Sequence, residues 1–195
     1  DIVLDRHGEQ TTAKVLTTPQ APADGFMEGV MEVVEASGVA PGDLDLILHG
    51  TTLATNALIE RKGAATALFV TQGHRDSLEI AYENRFDQYD IMADRTPPLV
   101  PRSLRLPVPE RVNSSGEVLI ELDEAAVVAH FETLKKQGVT SVSVGLLHAY
   151  ANPAHEQRIG ALVTQHFPDM ALSLSSDVCP EIREYERQTT TVANA

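Results

Sequence analysis

The stretch Val-Thr-Ser-Val-Ser-Val-Gly-Leu-Leu, residues 139–147, decides the fold class of this chain. It is a near-continuous apolar run, typical of a strand that is buried on both faces and therefore parallel to its neighbours. A helical pattern capped by Asp123 precedes it and ends at Gly138, and a second one opens at Asn152-Pro153. Helical and extended segments alternate along the rest of the chain. The sequence therefore predicts an α/β fold of mixed or mostly parallel sheets with flanking helices.

The other elements follow from apolar residues at helical spacing and from short extended runs between turn residues. The predicted strands cover residues 2–4, 12–16, 44–48, 65–70, 103–108, 117–122 and 170–174. The strand at 44–48 is expected to be buried, and those at 103–108 and 117–122 to form a hairpin. The predicted helices cover residues 24–36, the segment after Thr52 through Leu58, 76–81, 123–137, 152–167 and a last stretch from about residue 181.

A Pro-rich segment from Asn84 to Pro109 divides the chain, and it is either a functional loop or a plain linker. Its five prolines exclude a helix there. We place the domain boundary inside it, with a truncated N-terminal α/β subdomain at residues 1–96 and a second α/β subdomain at 97–195. The chain opens directly into a strand pattern and ends inside a helical one, so we expect a fragment of a longer protein.

Composition narrows the classes of function. The 195 residues have a formal net charge of −13, which disfavours a nucleic-acid partner. No apolar run is long enough for a membrane span, and no signal-peptide pattern is present. The single cysteine, Cys179, cannot form an internal disulfide, so a cytoplasmic location is expected.

Three places could hold chemistry. The segment 49–57 follows a predicted strand and opens a helix, so its hydroxyls and backbone N–H groups could bind an anion, or Thr51 or Thr52 could simply cap the helix. A polar run could bind a substrate or Mg²⁺, or be a solvated loop; it contains Glu79, Glu83, Asn84, Arg85, Asp87, Tyr89 and Asp90. His148 follows the strand at 139–147 and is either an acid/base or a structural residue.

Four blocks of sequence give a more specific signal than the pattern of helices and strands does. The first is His-Gly-Thr-Thr-Leu-Ala-Thr-Asn-Ala-Leu-Ile-Glu-Arg-Lys-Gly at 49–63, and the second is Thr-Gln-Gly-His-Arg-Asp-Ser-Leu-Glu-Ile at 71–80, followed by Asn84-Arg85 and Tyr89-Asp90. The others are Leu-Leu-His-Ala-Tyr-Ala-Asn-Pro-Ala-His-Glu at 146–156 and the segment 180–195. They occur in this order between residues 49 and 195, and they resemble motifs of the hydantoinase/oxoprolinase family.

The resemblance implies an N-methylhydantoinase A-type subunit, with part of an actin-like (ribonuclease H-like) ATPase fold. Such enzymes use ATP and Mg²⁺ to phosphorylate the carbonyl of a hydantoin or 5-oxoproline-like ring, which water then opens. Family members begin with a Gly-rich phosphate turn of which Asp1 resembles the last residue. We therefore expect this fragment alone to be inactive and to lack bound ATP.

Roles for individual residues follow from the same resemblance. Thr51, Thr52 and Asn56 are expected on the nucleotide or substrate side of a cleft, and His148 and Glu79 are candidate catalytic groups. The expected substrate-binding residues are Asn84, Arg85, Asp87 and Tyr89. A hydantoinase B-type partner subunit and an oligomeric enzyme are implied, and no protein-bound metal is expected.

Other functions stay open at this point. Related subunits belong to ATP-dependent ketone carboxylases, and the region could also be a non-catalytic docking domain. A stand-alone metal hydrolase would need His49, His74 and His148 as ligands, although their spacing matches no standard zinc motif.

Overall fold

The computed structural model describes residues 1–18, 20–82, 87, 89–94 and 96–195. Within it the chain divides into two compact units, residues 1–51 and 52–195. The predicted boundary between residues 96 and 97 falls inside the second unit, whose central sheet contains strands from both sides of that position.

The first unit is a hairpin covered by a helix. Strands β1 (Ile2–Arg6) and β2 (Glu9–Ala13) pair antiparallel around His7 and Gly8. Both turn residues have positive φ, 56° and 91°, as a two-residue type I′ turn requires. Helix α1 (Pro22–Ser37) packs on the hairpin, and Leu4, Ala13, Val33 and Val34 form the core. The helix begins two residues before the predicted Asp24 because Pro22 suits the first helical turn.

The prediction of a buried strand at residues 44–48 is wrong for this chain. Residues 44–52 have no regular structure, and Leu46 and Leu48 are 72% and 86% exposed. A strand needs a neighbour to take its backbone hydrogen bonds. Among the described residues of the first unit, the two strands pair only with each other, so the apolar alternation at 44–48 has nothing to extend.

The second unit is built on a four-stranded parallel sheet in the order β4-β3-β7-β8. The strands are β3 (Thr66–Thr71), β4 (Arg105–Val108), β7 (Ser141–Val144) and β8 (Ala171–Leu174), and β5 (Arg111–Val112) and β6 (Val118–Ile120) form a short antiparallel pair beside it. The helices are α2 (Leu53–Glu60), α3 (Ser77–Ile80), α4 (Glu124–Lys136), α5 (Ala154–His166), α6 (Ser175–Val178) and α7 (Glu184–Asn194). The α/β class and the parallel pairing of the strand inside 139–147 are confirmed.

Helices cover both faces of this sheet because successive residues of β3 point to opposite sides. Phe69 faces α4 and α5, where its ring lies 4.8 Å from that of Phe131. Leu68 and Val70 face the other way and pack with Leu78 of α3 and Val192 of α7. Every residue of β7 is buried, as the apolar run predicted.

The predicted hairpin between 103–108 and 117–122 is also wrong. Segment 105–108 joins the parallel sheet instead, with Leu68 opposite Arg105, and the antiparallel pair is β5 with β6. Pro107 lacks an N–H donor, so β4 suits the edge position that it occupies in this sheet. The predicted Asp123 cap is confirmed, since its Oδ1 accepts from the N–H of Ala126 at 2.9 Å.

Candidate functional site

An open groove of about 720 Å³ lies beyond the carboxyl ends of β3 and β7. It is bounded by the loop at residues 73–76, by Ile80 and Tyr82 at the end of α3, by Leu147 and by residues 183–186 at the start of α7. The carboxyl edge of a parallel sheet is where ligands bind most often in α/β proteins. The groove is therefore the candidate site of the second unit.

His74, in the loop after β3, lines this groove. Its hydrogen bond with Arg111 determines which ring nitrogen carries the proton. Its Nε2 lies 2.7 Å from Nη1 of Arg111. Arginine can only donate, so this nitrogen must be the acceptor and the ring is neutral. Burial first, and then the guanidinium of Arg111, lower the pKa of His74 below its ordinary value, and His148 lowers it further.

His148 follows β7 and forms a hydrogen bond with β5, the short strand that also contains Arg111. Its Nδ1–H donates to the carbonyl oxygen of Val112 at 2.9 Å. This bond fixes a proton on Nδ1, so Nε2 is the nitrogen that carries the lone pair in the neutral form of the ring. His148 has a φ of 57°, the left-handed region that non-glycine residues rarely adopt, and such backbones are frequent at functional sites.

Buried side chains of α7, which forms one wall of the groove, donate hydrogen bonds to the loop after β7. Arg187 donates from Nη2 to the carbonyl of Leu146 at 2.9 Å, and Gln188 donates from Nε2 to the carbonyl of Gly145 at 2.8 Å. A Cβ on Gly145 would lie 2.6 Å from Cγ of Gln188, so only glycine permits this approach. These contacts fix the start of α7 against the loop that contains His148.

Beneath the same edge lies a buried polar network that sequence patterns did not reveal. The Thr71 hydroxyl donates to Oε1 of Glu110, whose Oε2 lies 2.8 Å from Nδ1 of His155. The N–H of Leu147 donates to the Thr71 oxygen at 2.8 Å. The network joins the ends of β3, β4 and β7 to the start of α5. Thr71 and Glu110 lie 39 residues apart, so no local spacing could have indicated their contact.

A second buried carboxylate, Glu156, holds the next connection in place. It accepts from the N–H of Leu146 at 2.9 Å, from the Ser175 hydroxyl at 2.7 Å and from the N–H of Ser176 at 2.8 Å. Burial raises the pKa of Glu156 above its ordinary value, and these three donors act in the opposite direction.

The two predicted catalytic residues lie in different settings. His148 lies beside the groove, next to Leu147 in its wall. Glu79 is on α3, where its Oε2 pairs with Nη2 of the buried Arg105 at 2.8 Å. The structure gives Glu79 an anchoring contact that sequence reasoning did not foresee, and its catalytic role stays a prediction.

The predicted nucleotide residues fall on both sides of the division between the units. Thr51 ends the first unit, whereas Thr52 and Asn56 belong to the second. Thr52 precedes α2 but its side chain caps no backbone N–H, and its Oγ1 accepts from Nδ2 of Asn56 at 3.4 Å. Helix capping therefore does not account for the Thr52 hydroxyl.

Two of the predicted substrate residues, Asp87 and Tyr89, are exposed. Asp87 accepts through Oδ1 from the N–H of Tyr89 at 3.0 Å, and Tyr89 is almost fully exposed. Asn84 and Arg85 lie outside the described residues. The roles of all four stay predictions.

Within the part of the chain that the structure describes, no three His, Cys, Asp or Glu side chains are grouped so that they could hold a metal ion. A zinc hydrolase built on His49, His74 and His148 has no structural support there. No helix among the described residues is long and apolar enough to cross a membrane.

Comparison with known proteins decides the family. Residues 1–167 match the model of the hydantoinase/oxoprolinase N-terminal region. The chain belongs to the hydantoinase/oxoprolinase family. The expected resemblance and the expected fold class are thus both confirmed.

Individual members of the hydantoinase/oxoprolinase family match along the whole chain. It is 38% identical to the caprolactamase subunit alpha of Pseudomonas jessenii and 32% identical to the acetophenone carboxylase gamma subunit of Aromatoleum aromaticum. Both alignments cover 100% of this chain and 29% of the relative, so the chain spans less than a third of their length.

Two solved structures of the family share the fold. The crystal structure of the ATP-dependent caprolactamase from Pseudomonas jessenii matches with a TM-score of 0.87 and 38% identity, over 99% of this chain and 29% of the other. A nucleotide-free structure of acetone carboxylase matches with a TM-score of 0.84 and 25% identity, over 97% of this chain and 29% of the other.

Proposed function

We propose that this chain is the N-terminal region of an ATP-dependent enzyme that hydrolyses a cyclic amide, and that the groove beside His74 and His148 receives the ring. The observation that carries the proposal is the pair of half-buried imidazoles at the carboxyl edge of a parallel sheet. The similarity to a caprolactamase subunit over the whole chain supports the choice of reaction.

The chemistry explains the use of ATP. A ring amide carbonyl is stabilised by resonance and is a poor electrophile for water. ATP, when bound, would supply the phosphoryl group that turns the carbonyl oxygen into a leaving group. The chain's own residues bind the ring, exclude competing water and accept the ring N–H proton as the carbonyl oxygen is phosphorylated.

Thr51, Thr52 and Asn56 are proposed to contact the phosphates. The donors fit the group, because the Thr52 hydroxyl serves no cap and lies at the N-terminus of a helix, where anions are favoured. We propose Mg²⁺ as the counter-ion of the nucleotide, because phosphoryl transfer needs a metal ion that neutralises the developing charge.

His148 is proposed as the general base. Its Nε2 keeps a lone pair because Nδ1–H is committed to Val112, and a neutral imidazole is the usual acceptor of a proton at neutral pH. Glu79 is proposed as a second catalytic group, positioned by Arg105. Asp87 and Tyr89 are proposed, with Asn84 and Arg85, as the substrate loop.

A second candidate function is the nucleotide subunit of a ketone carboxylase. The observation that favours it is the 32% identity to an acetophenone carboxylase subunit over the whole chain. A non-catalytic docking role is the third. In each case we propose a partner subunit and an oligomeric enzyme, because the relatives named above are subunits.

The deciding experiment uses the full-length protein with its partner subunit. Release of ADP should rise when a lactam or hydantoin is added, with a ring-opened amino acid formed in equal amount. Release of ADP that needs a ketone and bicarbonate instead would assign the carboxylase function. A complex that turns over with neither, while binding its partner through this region, would favour the docking role.

A further inference from the structure

Strand β5 holds two imidazoles through consecutive residues. Arg111 donates from Nη1 to Nε2 of His74 at 2.7 Å, and the carbonyl of Val112 accepts from Nδ1–H of His148 at 2.9 Å. The two rings come from different loops, after β3 and after β7. Their binding to neighbouring residues of one strand places both rings against β5.

The two hydrogen bonds leave one ring with a free donor nitrogen and the other with a free acceptor nitrogen. Nε2 of His74 accepts from a guanidinium, so the single proton of that neutral ring is on Nδ1, which is a donor. Nδ1 of His148 donates to a carbonyl, so in the neutral form of the ring its Nε2 is an acceptor. Among the described residues neither of these outward nitrogens has a hydrogen-bond partner, and both rings are half-buried.

We propose that His74 and His148 together recognise the amide edge of the ring substrate. This inference rests on the proposed function and names the substrate's recognition element. In a ring the amide is cis, so its carbonyl oxygen and its N–H lie on the same edge. Nδ1–H of His74 donates to the carbonyl, and Nε2 of His148 accepts from the N–H.

This pair of imidazoles distinguishes a ring amide from a ring ketone and does not distinguish rings of different size. A cyclic ketone of the same size has CH₂ in place of N–H, so it satisfies His74 and leaves His148 without a partner. An unsatisfied polar group in a half-buried site costs about 10- to 100-fold in affinity, which is about 1.4–2.8 kcal/mol. The neighbouring apolar side chains Ile80 and Leu147 would contact the ring methylenes.

The test is binding in the absence of ATP, measured by calorimetry on the full-length protein with its partner subunit. The probes are an unsubstituted lactam and the cyclic ketone of equal ring size. The unaltered protein should bind the lactam about 10- to 100-fold more tightly. His148→Asn, which tolerates the left-handed backbone, should bind both probes with similar affinity. His74→Phe should weaken both probes alike, because both present a carbonyl.

Matched variants separate recognition from folding. His166→Asn, an exposed histidine on α5, should bind both probes like the unaltered protein. If His148→Asn does not fold, His148→Gly removes the imidazole and relaxes the backbone, and should give the same loss of discrimination. If His74→Phe does not fold, His74→Ala tests the same donor.

The outcomes distinguish this inference from the proposed function. Equal affinity of the unaltered protein for lactam and ketone would overturn the inference, even if the enzyme opens lactams with ATP. A preference for the lactam that survives His148→Asn and His148→Gly would overturn it as well. Tight lactam binding that disappears in these variants, without any ATP-dependent ring opening, would uphold it and reject the proposed hydrolase.

Discussion

Glu110 and His155 form a buried pair in which carboxylate Oε2 lies 2.8 Å from imidazole Nδ1. The Glu110 side chain is fully buried, and its other oxygen accepts from Thr71. One residue thus satisfies two buried donors that belong to different elements. A polar group placed this way is costly to remove, because its partners remain buried without a replacement.

Glu110→Ala should therefore lower the free energy of unfolding by about 3 kcal/mol, the sum expected for two orphaned donors. Glu110→Gln should cost about 1 kcal/mol, since an amide oxygen can still accept from Thr71 and Nδ1 of His155 can accept from the amide N–H. Equilibrium urea unfolding measures both. Equal losses in the two variants would contradict the network as described.

Glu156 should make stability fall as pH rises. Burial raises its pKa in the folded state above the ordinary value of 4.5, so the folded protein keeps this proton to a higher pH than the unfolded chain does. Stability from this group is complete below the ordinary pKa and is lost as pH rises through the raised one. Glu156→Gln should flatten that part of the pH profile in urea unfolding. A profile with the same slope in both proteins would refute the assignment.

Thr52→Ala should lower ATP-dependent turnover of the full-length enzyme by about tenfold or more, the size expected for one lost phosphate donor. Stability should hardly change, because the Thr52 side chain caps no backbone N–H of α2. Thr55→Ala, an exposed threonine on the same helix, is the matched control and should keep its turnover. Unchanged kinetics in Thr52→Ala would remove this residue from the nucleotide site.

Glu79→Gln separates catalysis from anchoring. The amide keeps one oxygen for Arg105, and the Glu79 side chain is more than half exposed, so the unfolding free energy should change by under about 1 kcal/mol. If the carboxylate is catalytic, turnover should fall by about 10²-fold or more. Steady-state kinetics with a thermal-unfolding control gives the answer. Full turnover in a stable variant would leave Glu79 with a structural role and no catalytic one.

The central strand could be predicted from sequence because burial on both faces requires apolar or small side chains at consecutive positions. Val142 and Val144 face one side and Ser141 and Ser143 the other, and all four are buried. Residues 44–48 have an apolar run too, but a pattern does not say which strand will pair with it. The error there concerns a partner, which local sequence does not encode.

Residues of the candidate site could be predicted only where they directly follow a strand that the sequence itself predicts. His148 directly follows the apolar run at 139–147, so its position was foreseen. His74 and Arg111 are 37 residues apart, and Glu110 and His155 are 45 apart. Such contacts arise when parallel strands bring the loops that follow them to one edge, and the order of those strands cannot be read from residue spacing.

The backbone at His148 has a practical consequence for protein engineering. At a φ of 57° the backbone strain of glycine is lower than that of histidine by about 1 kcal/mol. A search for heat-resistant variants that scores only backbone strain would select His148→Gly, although this change loses the hydrogen bond to Val112 and the group proposed to recognise the ring. Any thermostabilised version of this domain should therefore be checked for ligand discrimination before its melting temperature is taken as progress.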